Sequence, residues 1–419
     1  MWWHYRRTPK RLLDLLAAAF LGIALFLPVF LLALYARARF HCRPRVGREG
    51  ELFGEWTLGF GEGRCGRCCR RLGLEGYPRL WNILAGDLSF VGPRPLAADE
   101  PRPESAVQAA RQVSRPGLYC LWWLRERSNM TFGTEWEADL EYTERCTCRR
   151  DVGILLRVAL ASLYGAPVTT SEPLVELLGI RINTTTMDEI LAEVEARVAA
   201  RGAARLFFVN ADCLNVACRN REYAAALGRA DAVLGDGIGV KLGSRLTGQS
   251  IRQNVNGTDL LPRLCERLGQ AGGSLYLLGA RPGVAEAVGA WVNERYPGVR
   301  LAGCRDGYFA PEENAAVVAA IRRARPDVLL VAFGAPRQEL WLDQWSAELE
   351  VPVSFGVGGL FDFYSGRIRR APLWMRETGL EWVYRLIQEP RRMWKRYLVG
   401  NVVFLYRVWR YGRNACSNK

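Results

Sequence analysis

Two aspartates in the second half of this chain stand where a carboxylate could move protons. Asp236 lies in Leu234-Gly235-Asp236-Gly237-Ile238-Gly239, directly after an apolar run, Ala232–Leu234, that reads as a strand. The carboxyl ends of strands are where open α/β sheets bind ligands, and the flanking glycines let the backbone come close to one. Asp362, in Gly358-Gly359-Leu360-Phe361-Asp362, follows the last strand in the same way. The chain's two histidines, His4 and His41, both lie in the first half. A general base acting near neutral pH in the second half must therefore be a carboxylate, a tuned lysine or a tyrosine. The competing reading of Asp236 is a turn residue that caps the next helix.

Two Gly-rich turns add places for phosphate. Gly279, in Leu278-Gly279-Ala280-Arg281-Pro282-Gly283, and Gly334, in Phe333-Gly334-Ala335-Pro336-Arg337-Gln338, each join a strand to a helix. Exposed N–H groups at helix N-termini attract phosphate. Neither turn fits GxGxxG or the P-loop, which argues against a dehydrogenase or an NTPase. The net charge of +14 also asks for an anionic partner, and residues 365–419 hold 13 Lys/Arg against 3 Asp/Glu, or +10. Trp382, Tyr384, Trp394 and Tyr397 are threaded among those cations, a mixture suited to an anionic membrane surface. Helix-turn-helix, zinc-finger and RNP patterns are absent, so nucleic acid is not expected. Of the twelve cysteines, Cys65, Cys68, Cys69, Cys146 and Cys148 weakly match a zinc spacing; reduced thiols are the plain reading.

The elements that must position these residues follow from the apolar pattern. Leu178–Ile182, Leu206–Val209, Ala232–Leu234, Leu275–Leu278, Val299–Cys304, Val328–Phe333 and Val351–Phe355 read as strands. Between them fall a helix capped by Thr184–Thr186 and running through Val198, then helices at Arg221–Arg229, Leu260–Leu268, Val284–Tyr296, Glu312–Ala324 and Arg337–Trp345. Such alternation implies βαβ units, hence an α/β fold with a Rossmann-like, mostly parallel sheet and helices on both faces. Three parts are expected: an N-terminal membrane-associated, α-rich domain over 1–170, the sheet domain over 171–379, and a basic helical appendage over 380–419 lying outside the core. With 49% hydrophobic and 24% charged residues the chain is not a disordered one.

Leu12–Tyr35 is apolar but for Asp14, Gly22 and Pro28. As a helix it would extend roughly 36 Å, enough for a bilayer core of about 30 Å. Arginines and lysines flank both ends, which a spanning helix cannot reconcile with the positive-inside rule. A helix broken at Pro28 that dips in and returns would satisfy both flanks.

Residues 174–400 resemble the WecG/TagA/CpsF glycosyltransferase family. The resemblance rests on Asn210-Ala211-Asp212, Gly235-Asp236-Gly237-Ile238-Gly239, Asn256-Gly257-Thr258-Asp259, Phe333-Gly334-Ala335-Pro336-Arg337-Gln338-Glu339-Leu340-Trp341 and Gly356-Val357-Gly358-Gly359, in that order. It implies transfer of a sugar from a UDP-sugar to a polyprenyl-diphosphate-linked sugar, with inversion and without a metal or other cofactor. It makes Asp236 the base on the acceptor hydroxyl. It puts Asn210, Gln338 and Asp362 in the pocket, and Arg385, Arg392 and Lys395 on the diphosphates. Asn254 stands where many members have arginine, and Arg252 nearby is the expected substitute.

The first half resembles the bacterial sugar transferases, which put a sugar-1-phosphate onto polyprenyl phosphate. The matching residues are Pro78–Pro95, ending Gly92-Pro93-Arg94-Pro95, with Arg115-Pro116-Gly117-Leu118 and Arg45-Val46-Gly47-Arg48. The family's catalytic Asp-Glu pair reads Glu75-Gly76 here, so the site marked by Glu75 and Arg94 is expected to be degenerate and this half a membrane platform. The expectation is a glycosyltransferase of cell-surface polysaccharide synthesis at the cytoplasmic face of a bacterial inner membrane, its donated group hexosyl or N-acetylhexosaminyl, of N-acetylmannosamine type. Anionic lipids and other polysaccharide-synthesis enzymes are its expected partners, with a homo-oligomer left open. The alternatives are a bifunctional enzyme with an active first half and a non-catalytic membrane scaffold.

Overall fold

The computed structural model describes residues 9–61, 63–71, 73–100, 111, 113–128, 134–164 and 172–414. It divides into two compact units, Met1–Ala166 and Pro167–Lys419.

The first unit opens with α1 (Pro9–Tyr35), long and apolar enough to cross a membrane. Most of its apolar surface is bare; Leu16, Phe20, Ile23 and Leu27 are all exposed. The expected break is not there: α1 runs unbroken through Pro28. A proline removes one intrahelical bond and can be absorbed by a bend rather than a stop. After it come β1 (Arg39–Val46), β2 (Leu52–Gly59), α2 (Arg64–Arg71), α3 (Arg79–Ala85), β3 (Ser89–Val91), β4 (Leu96–Ala97), β5 (Gly117–Tyr119), α4 (Leu121–Ser128), α5 (Glu135–Glu144) and α6 (Cys148–Tyr164). Two small sheets, ordered β2-β1-β4 and β3-β5, accompany the helices. Asn82 of α3 explains why part of the Trp81–Pro95 motif is structural. Its amide donates to Gly54 O at 2.7 Å and Asp87 Oδ2 at 3.0 Å, and accepts from Trp56 N–H at 3.2 Å, tying α3 to β2.

The second unit runs β6 (Leu174–Leu177), β7 (Ile180–Asn183), α7 (Met187–Ala200), β8 (Ala204–Val209), α8 (Ala211–Ala217), α9 (Arg221–Gly228), β9 (Ala232–Gly235), α10 (Ile238–Leu246), α11 (Gly257–Gln270), β10 (Ser274–Gly279), α12 (Val284–Arg295), β11 (Arg300–Arg305), α13 (Asn314–Ala324), β12 (Val328–Ala332), α14 (Arg337–Leu349), β13 (Val353–Gly356) and α15 (Leu360–Tyr364). It ends in α16 (Leu373–Glu377), α17 (Glu381–Gln388), α18 (Pro390–Trp394), a π-helical turn Lys395–Val399, and α19 (Gly400–Tyr411). One eight-stranded sheet has the order β11-β10-β12-β13-β8-β9-β7-β6 and is parallel except for the β6–β7 pair. Thr186 and Glu189 form the capping box that starts α7.

Alternate residues of each strand face opposite layers, as a sheet covered on both sides requires. Leu206, Leu275, Leu277 and Leu330 pack with α7, α11 and α12, while Phe207, Val209, Leu278 and Val331 pack with α8, α9, α13 and α14. From β8 the chain steps to β9 on one side, and β10, β12 and β13 fill the other. The crevice at that reversal, outside the carboxyl ends of β8 and β13, is where such sheets take their ligands.

Candidate active site

Asp236 follows β9 at this rim. Its N–H donates to Val209 O at 2.8 Å, so the β8–β9 ladder itself sets its position. Gly237 comes next with φ 84°, a backbone that favours glycine. Gly237 is the residue before α10, and no side chain caps that helix, so Asp236 is not the helix cap that its position alone allowed. The Gly237 N–H donates to Asn254 Oδ1 at 2.7 Å. Asn254 thus fixes the turn, while Arg252, its expected substitute, is exposed and pairs with Glu189 at 2.7 Å.

Burial pushes the Asp236 carboxyl up to about 6; Glu381 adds to the rise, Arg396 opposes it, and Asp259 and Arg385 contribute less in either direction. A group so placed is ionised at neutral pH yet a better proton acceptor than a free aspartate. Around it lies a charged network. Arg370 bridges Asp259 at 2.5 Å and Glu381 at 3.5 Å, and Arg376 lies 3.9 Å from Asp259. Asn256 caps α11 and donates from Nδ2 to Asp259 Oδ2 at 2.7 Å, holding that carboxylate in place.

Residues 380–414 form part of the unit's packing rather than an outlying appendage. Phe404 and Val408 are buried in the core cluster with Leu214 and Val240. Gly243 of α10 makes this docking tight, since a Cβ there would meet the Phe404 ring at 2.7 Å. Asn215 donates to Gly400 O at 2.8 Å and accepts from Arg407 at 2.7 Å. Arg396 pairs with Asp212 at 3.2 Å. Arg385 lies against the turn after β13, its guanidinium 5.2 Å from the Phe363 ring and 2.8 Å from where a Gly359 Cβ would be. The opposite face keeps Leu398, Val402, Tyr406 and Trp409 exposed.

The Gly-rich turns are tied to each other through Gln338. Its Oε1 accepts the N–H of Gly334 at 3.0 Å and of Gly358 at 2.9 Å, and its Nε2 donates to Glu339 Oε1 at 2.8 Å. Glu339 is fully buried, and burial pushes its carboxyl up to about 7 against the pull of Gln338. Gly279, at φ 125°, closes on β12: a Cβ there would come within 2.7 Å of the Ala332 backbone. Asn210 caps α8 through Oδ1, accepting from Asp212 and Cys213 N–H at 3.0 and 3.1 Å. Asp362 lies in the first turn of α15 and pairs with Arg367 at 3.2 Å.

Arg385 is therefore brought into the charge field of Asp236, with Asn254 on the adjoining turn and Gln338 joining two neighbouring strand ends. Arg392 is exposed and paired with Glu389 at 3.0 Å, and Lys395 is exposed with its ammonium 5.5 Å from the Trp394 ring. Sequence reasoning missed Glu381, Arg396 and Arg370, whose relation to Asp236 exists only through the fold. Asp259 lay inside a motif already noted, and its acidic type was the available signal. In the first unit Glu75 lies in a short turn, Leu74–Gly76, and the Arg94 guanidinium is held by Glu100 and, at 3.1 Å, by Glu135. No three or more His, Cys, Asp or Glu residues among those described are grouped to hold a metal, so the cysteine spacing does not gather into a zinc site. Cys218 is disulfide-bonded, against the expectation of reduced thiols throughout.

Two family models match the chain: the glycosyl transferase WecG/TagA/CpsF family over residues 175–417 and the bacterial sugar transferase family over residues 62–165. A protein of Bacillus subtilis named N-acetylglucosaminyldiphosphoundecaprenol N-acetyl-beta-D-mannosaminyltransferase is 37% identical over 190 residues, 45% of this chain and 73% of the relative. A protein of the same name from Bacillus spizizenii is 35% identical over 182 residues, 43% and 70% of the two chains. Another from Staphylococcus aureus is 29% identical over 236 residues, 56% and 91% of the two chains.

Proposed function

This chain belongs to the WecG/TagA/CpsF family of glycosyltransferases, and from that premise we propose that its second unit transfers an N-acetylhexosaminyl group, of N-acetylmannosamine type, from a UDP-sugar to a polyprenyl-diphosphate-linked sugar. The names of the relatives support the acceptor class and the donated sugar. The observation that carries the chemistry is the Asp236 carboxyl, raised to about 6 at the sheet's ligand-binding rim within reach of the charges of Arg385 and Arg396.

Inverting transfer needs a base on the attacking hydroxyl and positive charge for the departing diphosphate. Asp236 takes the hydroxyl proton as the new glycosidic bond forms and the bond to the diphosphate breaks. Arg385 steadies the diphosphate charge, with Arg392 and Lys395 contributing farther along the appendage. The turns held by Asn210, Gly279, Gly334 and Gln338 shape the donor pocket, with Asp362 at its edge. The scheme asks for no cofactor beyond the UDP-sugar. The product belongs to cell-surface polysaccharide synthesis, at the cytoplasmic face of the inner membrane, with α1 and the exposed aromatic face of 394–409 as lipid contacts.

The first unit is read as a platform for this activity and for partner enzymes, because Arg94 is already held by two carboxylates and Glu75 lacks its acidic neighbour. The test uses membranes holding the full chain, a panel of radiolabelled UDP-sugars and a short-chain polyprenyl-diphosphate N-acetylglucosamine acceptor. Label should move to the acceptor from UDP-N-acetylmannosamine and not without acceptor. No transfer from any donor would sink the reading.

A further inference from the structure

The first unit holds a cavity of about 110 Å³, partly open to solvent, that neither Glu75 nor Arg94 lines. Lys10, Arg11, Arg48 and Arg115 line it, with Asp14 as the single carboxylate among its lining residues. Like charges gathered around one space repel one another unless something negative lies between them.

The neighbouring carboxylates are already in use. Asp151 is taken by Lys10 and by the Tyr142 hydroxyl, which donates to it at 2.8 Å. Asp14 accepts from Ser89 Oγ at 2.7 Å and from Phe90 N–H at 3.3 Å. Arg11 donates to the Ile83 and Leu84 carbonyls and Arg115 to Gly86 O at 2.8 Å, so among the described residues neither has a carboxylate partner. Among the described residues Arg48 pairs only with its exposed neighbour Glu49, a contact worth little in water. Burial lowers the Arg115 pKa, and the charges of Arg11 and Arg48 lower it further. Two polar atoms of the lining residues, Arg48 Nε and Ser114 Oγ, are buried without a hydrogen-bond partner among the described residues.

We propose that this cavity is a binding site for a phosphate group, held by Arg11, Arg48, Arg115 and the Ser114 hydroxyl. A phosphate offers several strong acceptors and a charge that the planar guanidinium fork matches. The site is built at the polar end of α1, and Leu12, Leu13 and Leu16 just beyond are exposed and apolar. A helix of that kind puts its polar end at headgroup depth. The phosphate therefore comes from a membrane lipid or, sharing its chemistry, from a free phosphate ester.

The full chain in a non-ionic detergent is titrated with inorganic phosphate, with short-chain phosphatidylglycerol and with short-chain phosphatidylcholine, reading the shift in Tm. Arg115→Gln and Arg48→Gln are compared with the parent, with Arg410→Gln as a control on the basic C-terminal segment. The parent and the control should be stabilised by phosphate or phosphatidylglycerol, and each cavity variant should need at least about tenfold more ligand for the same shift. Arg48→Gln changes a partly exposed side chain and is expected to fold even if Arg115→Gln does not. Response to phosphatidylglycerol alone assigns the lipid as source, and equal response to inorganic phosphate assigns the phosphate group itself. No shift in the parent, or shifts unchanged in the folded variants, overturns the site.

Discussion

In the second unit burial raises the Asp236 pKa, with Glu381 and Asp259 adding to the rise and Arg396 and Arg385 opposing it, and its carboxyl ends near 6. In the first unit Arg94 has both terminal nitrogens on Glu100, a further contact to Glu135, and its backbone N–H on Asp139 Oδ1 at 2.9 Å. The two clusters contain the same kinds of residue. One holds a buried carboxyl near 6 with no ion-pair partner among the described residues, and the other uses its charges to hold a turn in shape. A poised group costs stability and is kept where chemistry needs it; a paired one holds the fold and leaves little for a substrate.

The sharpest way to break that contrast is Asp236→Asn, which keeps size and turn geometry but cannot accept a proton. General-base catalysis contributes about 10²–10⁴-fold, so kcat should fall by that much with donor binding little changed. Stability should move the other way. The native pKa lies above that of a free aspartate, so the folded state holds the proton more tightly and stability is lost as pH rises through 4 to 6. At pH 7.5 the asparagine variant, with no charge to bury, should melt no lower than the parent. A lower Tm with near-normal kcat would return Asp236 to a structural role.

Arg385→Ala comes next. Hydrogen bonds to charged groups are worth about 1.5–3 kcal/mol, so kcat/KM should fall roughly 10–100-fold, with KM for the UDP-sugar raised and kcat lowered together. Arg392→Ala, at an exposed residue paired with Glu389, should cost less than Arg385→Ala when the two are assayed side by side. The reverse order would move the diphosphate contact out along the helix and away from Asp236.

A milder probe is pH. Because the base must be ionised, kcat/KM should be flat above about 7 and fall about tenfold per unit below 6. Asp236→Asn should lose that limb. If the variant keeps a limb near 6, another group, Glu339 being the obvious one, is titrating.

How far the sequence foretold this arrangement depended on distance along the chain. The inner strands and long helices were legible because their apolar alternation is strong, and α7 was marked by its own capping box. The short helices α8 and α10 were not, since each begins at a site turn and spans only two or so turns of mixed polarity. Asp236 and Gln338 were visible through their glycine neighbours. Glu381 and Arg396 were invisible, because tertiary contacts such as the docking of Phe404 against Gly243 bring that segment near residues some 150 positions earlier. The same docking moved residues 380–414 from an expected appendage into the core: Phe404 and Val408 lie one turn apart, a pattern too brief to stand out among arginines.

The smallest expected effect is none at all, and it bears most directly on the first unit. Glu75 is the surviving acidic residue at its expected catalytic position, and Gly76 follows it where the resemblance calls for a second carboxylate. A lone acid in a short turn can hold neither both halves of a nucleophile-and-metal pair nor, with Arg94 already claimed, a ready cation for the transferred phosphate. Glu75→Ala in the full chain should therefore leave sugar transfer to a preformed lipid-linked acceptor within error of the parent. The same membranes, given each UDP-sugar and polyprenyl phosphate, should form no sugar-phosphate lipid. Should that lipid appear and vanish in Glu75→Ala, the first unit would be catalytic, and a single carboxylate with a paired arginine would suffice where the resemblance calls for two.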